Sequence, residues 1–102
     1  MHIEATVWRM IRVSGSEEGR LRLTRERLSF TGEKGTKIDV SHAEIRWVKF
    51  PWHYFGGGMK VSIGGGTYRF SFMQPHNEFA SIRDGRDAGA KWRAAFQRIG
   101  KC

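Results

Sequence analysis

Gly19-Arg20-Leu21-Arg22-Leu23-Thr24-Arg25-Glu26-Arg27-Leu28-Ser29-Phe30-Thr31 is the stretch that decides the fold class. Leu21 and Leu23 alternate with Arg20 and Arg22, and beyond a tight turn at Arg25 and Glu26 the alternation resumes with Leu28 and Phe30 against Ser29 and Thr31. Successive side chains of an extended chain point to opposite faces, so a period of two specifies two strands, each with one apolar and one wet face. Strands joined so tightly pair antiparallel, and a lone hairpin needs further strands or a helix to bury its apolar side.

Upstream, Ala5, Val7, Ile11 and Val13 share one parity and Thr6, Trp8, Met10 and Arg12 the other. Arg9 interrupts the inner row, which predicts a bulge or an edge position there. Ser14-Gly15-Ser16-Glu17-Glu18-Gly19 reads as the turn that follows. Downstream, Gly32 and Gly35 bound a loop, and Ile38 and Val40 continue the inner row. Ser41-His42-Ala43-Glu44 fits the capping box of a single helical turn. A fifth strand spans Ile45 to Phe50, with Ile45 and Trp47 on one face and Arg46 and Val48 on the other, and Pro51 ends it. Gly56-Gly57-Gly58 opens a sixth strand with Met59, Val61 and Ile63 inward. Gly64-Gly65-Gly66 turns it into a seventh, with Tyr68, Phe70 and Phe72 inward.

After Pro75, helical spacing takes over: Ala88, Trp92, Ala95, Phe96 and Ile99 fall on one face at 3.6 residues per turn. Glycine at Gly85, beside Arg83 and Asp84, predicts a break there, so the main helix is expected over about 87–99. The expected domain is therefore mainly β: seven antiparallel strands within about 3–73 in a small curled sheet, with one amphipathic C-terminal helix packed on it. A chain of 102 residues supports one such core.

Composition narrows the function classes. Hydrophobic residues make up 39% and aromatics 13%, which excludes disorder for the chain as a whole. No apolar run approaches the ~20 residues a spanning helix needs, and the N-terminal residues lack a secretory pattern. Cys102 is the single cysteine, leaving no disulfide and no cysteine-based zinc site within one chain, and a reducing cytoplasm is expected. Eighteen Lys and Arg against ten Asp and Glu give a net charge of +8, which favours phosphate-bearing partners and also solubility.

The order of elements resembles the pleckstrin-homology superfamily, in particular its GRAM-like members and their bacterial counterparts. The resemblance is carried by Gly19 to Thr24 with Arg27-Leu28-Ser29-Phe30, by the turn Val40-Ser41-His42-Ala43-Glu44-Ile45, by the Gly-rich last hairpin and by Trp92, and it covers nearly the whole chain. It implies a seven-stranded antiparallel barrel of two near-orthogonal sheets, its open end capped by the helix. It further implies a non-catalytic adaptor-like domain that docks anionic lipid head groups or a protein partner, cytoplasmic or peripheral to a membrane. Arg12, Arg20 and Arg22 match the basic pattern of its lipid-binding members, and Lys34 and Lys37 would lie beside them in that topology. Alternate arginines on one strand project together and clamp phosphate oxygens well. Glu17 and Glu18 in the adjoining loop oppose this, and strand arginines are ordinary on a solvated face.

Pro51-Trp52-His53-Tyr54-Phe55 is too aromatic for a freely exposed loop. Trp52, Tyr54 and Phe55 fit packing into the barrel end, a contact between copies of this chain, or insertion at a membrane interface. His2, His42, His53 and His76 have no metal-ligand spacing, and no nucleophile, acid-base pair or cofactor fingerprint is present, so neither catalysis nor a cofactor is expected. A purely structural, self-associating domain is the competing class. Nucleic acid is disfavoured, because Trp8 and Met10 offer a thin stacking platform beside dispersed charge.

Overall fold

A computed structural model describes residues 2–11, 15–51, 57–75 and 82–101. Seven strands, β1 (His2–Ile11), β2 (Gly15–Thr24), β3 (Arg27–Gly32), β4 (Lys37–Ser41), β5 (Ile45–Lys49), β6 (Gly58–Ile63) and β7 (Gly66–Ser71), precede one helix, α1 (Ile82–Arg98). All pairings are antiparallel, in the order β4-β3-β2-β1-β7-β6-β5. β1 holds the two halves together: it pairs with β2 along its length and with β7 at Trp8 and Arg9. The ladder runs through all seven strands as one open sheet, with β4 and β5 at its edges.

The inner face follows the alternation. Val7, Leu21, Leu23, Leu28, Phe30, Ile38, Met59, Val61 and Phe70 are buried in one cluster. Across it lies α1, whose Trp92 is 1% exposed and sits between the rings of Phe72 and Phe96 at 6.2 and 6.1 Å. The helix thus covers the inner face of the sheet, as its apolar stripe requires. At its C-terminus Gly100 takes φ +75°, and the returning chain lets the Lys101 carbonyl accept from Val48 N–H at 3.0 Å. That bond occupies part of the exposed edge of β5.

The structure corrects four local readings. Arg9 lies neither in a bulge nor at an edge: the β1–β2 register runs unbroken from His2↔Thr24 to Ile11↔Gly15, and β7 flanks β1 on its other side. Residues 15–19 are not a turn but the first half of β2. The irregularity falls instead in β5, between Ile45 and Trp47, where Arg46 is the extra residue. The bulge reverses parity, so Val48 joins Ile45 inward while Trp47 turns to the outer face opposite Ser62. Finally, α1 starts at Ile82 and is unbroken at Gly85. Gly85 is buried there because a Cβ would overlap the Met73 side chain, so this glycine permits close packing rather than ending a helix.

The remaining turns match their sequence signals. Arg25 and Glu26 join β2 to β3, and Gly64 with φ +56° turns β6 into β7. His42–Glu44 forms one 3₁₀ turn, in which Glu44 Oε2 accepts from Ser41 N–H at 2.9 Å. No helix among the described residues is long and apolar enough to cross a membrane.

Candidate anionic-partner surface on the sheet

Cross-strand register places the outward residues of β2 beside those of β1. Glu4 faces Arg22 and Thr6 faces Arg20. Arg20 donates to Glu4 Oε1 at 2.9 Å and to Thr6 Oγ1 at 3.1 Å, and Arg22 Nε lies 3.9 Å from Glu4 Oε2. His2 Nε2 sits 3.0 Å from Glu4 Oε2 and 3.2 Å from Arg22 Nε. The Arg20 hydrogen bond, with help from His2, holds the Glu4 carboxyl below its usual range. Arg20 and Arg22, two of the three arginines expected to hold a head group, are therefore drawn to one carboxylate, which offsets their field at the surface.

Lys37 shares a row with Arg20 across Thr31, as the pairings Arg20↔Thr31 and Thr31↔Lys37 require. Lys34 sits in the β3–β4 turn, where its Nζ donates to the Ser16 carbonyl at 3.0 Å. Arg12, and the aromatic residues Trp52, Tyr54 and Phe55, lie outside the described residues.

Glu17 occupies a position that the alternation alone conceals. It is fully buried on the inner face, directly opposite Arg9 in the β1–β2 ladder. Burial pushes its carboxyl up, but the Thr36 hydroxyl and amide, the Lys34 amide and Arg9 outweigh this and hold it below the usual range. Gly32 lies against it, where a Cβ would overlap the carboxylate. Glu17 is thus a clasp that pins the β3–β4 turn to the start of β2, and not an obstacle in a phosphate loop. Its signal in the sequence was the pairing of two inward-parity charges, Arg9 and Glu17, on adjacent strands.

The other half of the outer face gathers charge that is scattered in sequence. Lys49 pairs with Lys60 and Lys60 with Arg69, so three cations stand in one row across β5, β6 and β7. At a strand spacing of about 4.8 Å the row is roughly 10 Å long. Lys49 and Arg69 are exposed, and Lys60 is partly exposed. Beside the row, half-buried Trp47 carries the Lys49 ammonium 4.7 Å above its ring. On the far side is half-buried Trp8, whose partner Ser71 is two residues along β7 from Arg69. Only the register and the Arg46 bulge bring these residues together. Among the described residues no cluster of His, Cys, Asp or Glu is arranged to hold a metal ion. No family model matches the chain, and no curated protein matches it.

Proposed function

We propose that this chain is a non-catalytic binding module of pleckstrin-homology-like design that holds an anionic partner on the basic outer face of its sheet. The strand order and the inward Trp92 on a C-terminal helix support the architectural part of this reading. The functional part rests on one observation, the in-register row Lys49, Lys60 and Arg69. Like charges directly opposite one another in a sheet destabilise it by a few tenths of a kcal/mol per pair, on the order of 0.2–1. An anionic partner seated along the row would offset that cost. This moves the binding surface away from Arg20 and Arg22, whose guanidinium groups already engage Glu4.

The test is retention of the full chain on three polyanions at 50 mM salt: heparin, phosphatidylserine-containing vesicles and a dT20 oligonucleotide. Salt-sensitive binding to at least one is expected. Binding to none of the three would end this reading.

A further inference from the structure

We infer that the outer face of β5, β6, β7 and β1 binds single-stranded nucleic acid, with the phosphodiester backbone along Lys49, Lys60 and Arg69 and bases stacked against Trp47 and Trp8. This inference rests on the binding-module reading above, names its ligand class, and reverses the expectation from sequence against nucleic acid, because the register adds Trp47 and an ordered cation row to Trp8.

Three observations favour a strand over the other polyanions. First, the cations form a line, one per β-strand, which suits a linear polyanion better than it suits separate head groups. Second, an indole flanks the row on each side, from β5 and from β1, and offers a ring to bases that splay from a backbone lying along it. Third, both indoles are half-buried, and the Lys49 ammonium that rests over the Trp47 ring is itself a member of the row, so a base reaches that ring as Lys49 moves onto a phosphate. Rings set into a sheet offer a stacking face but cannot act as wedges driven into a bilayer, where apolar side chains must be buried in the acyl boundary. A duplex has its bases already stacked and would use only the charge row. Stacking on sheet-borne rings is sequence-tolerant, because every base has a π-face, so little base preference is expected.

Fluorescence anisotropy with labelled dT20, the matching duplex and phosphatidylserine vesicles as competitor tests this. For three phosphate contacts, dT20 affinity should fall about 20-fold between 50 and 200 mM salt. Lys49→Glu with Lys60→Glu should reduce dT20 affinity at least about 10-fold and flatten the salt slope, since each lost contact removes ~0.7 from it. Arg83→Glu with Arg93→Glu makes the same change in net charge on the exposed side of α1, remote from the row, and should cost much less. Trp47→Leu should weaken dT20 binding about 5-fold or more while leaving the salt slope intact, because stacking carries no counterions. Thermal unfolding of each variant checks the fold, and Lys49→Gln with Lys60→Gln replaces the charge-reversed pair if that pair unfolds.

Equal losses from the sheet pair and the helix pair would overturn the site. Vesicle binding without dT20 binding would overturn the ligand class and leave the binding module standing. Failure to bind any polyanion would remove both.

Discussion

Arg9 and Glu17 stand opposite each other on the buried face of the β1–β2 ladder, their side chains joined by two contacts of 3.3 Å. Arg9 also reaches Thr36 Oγ1 at 3.2 Å, so the pair ties β1 and β2 to the β3–β4 turn near one end of the sheet. Every buried side-chain polar atom among the described residues has a partner. The charge is tolerated inside because the Glu17 carboxylate accepts from two backbone amides, a hydroxyl and a guanidinium.

Glu17→Gln keeps the size but sets an amide NH₂ against donors. Loss of a charged acceptor in a buried network should lower stability by about 2 kcal/mol. Urea unfolding reads this directly, and an unchanged midpoint would show that the clasp contributes nothing.

The same carboxylate sets an acid limit. Its pKa in the folded chain lies below the unfolded value of 4.5, so its contribution is full above that pH and disappears as pH falls through the folded pKa. Stability of the native chain should therefore decline from about pH 5 downward, and the decline should be shallower in Glu17→Gln. Parallel curves for the two proteins between pH 6 and pH 3 would assign acid sensitivity to other carboxylates.

Gly32→Ala introduces a methyl into the space held by the Glu17 carboxylate, which its hydrogen bonds keep from moving aside. A cost of about 1–3 kcal/mol is expected, as for other overpacked sites. The cost should shrink in a Glu17→Ala background, because the two positions share one contact. Additive losses in a double-mutant cycle would contradict the geometry.

Trp92→Ala removes the largest fully buried side chain among the described residues, together with its contacts to Phe72 and Phe96. A loss of about 3–5 kcal/mol is expected, a large share of the stability of a domain this size. Circular dichroism should show a strongly lowered melting temperature or no cooperative transition at all. A small shift would mean that α1 does not seal the sheet.

Deleting Arg46 probes the bulge. In the shortened chain Ile45, Trp47 and Val48 alternate regularly, and the pairings Ile45↔Ile63, Trp47↔Ser62 and Val48↔Val61 become consecutive. The fold should survive with a change within about 1 kcal/mol, because no side chain exchanges faces. Loss of folding would indicate that the bulge is needed for more than parity.

Period-two alternation at Leu21, Leu23, Leu28 and Phe30, glycine punctuation at Gly64, and the stripe through Trp92 and Phe96 determined the strands, the last hairpin and the helix from sequence alone. These are local signals, written in the chain within a few residues of where they act. Which charges meet was decided only in three dimensions. Arg9 and Glu17 looked like a defect and a loop residue until the register set them face to face in the interior. Lys49, Lys60 and Arg69 are each one outward position on a separate strand, and a one-residue bulge at Arg46 reverses the face of Trp47 and Lys49. Side-chain direction in a strand has a period of two, so pairing register and a single inserted residue govern the surface, and neither is encoded in the periodicity of one strand.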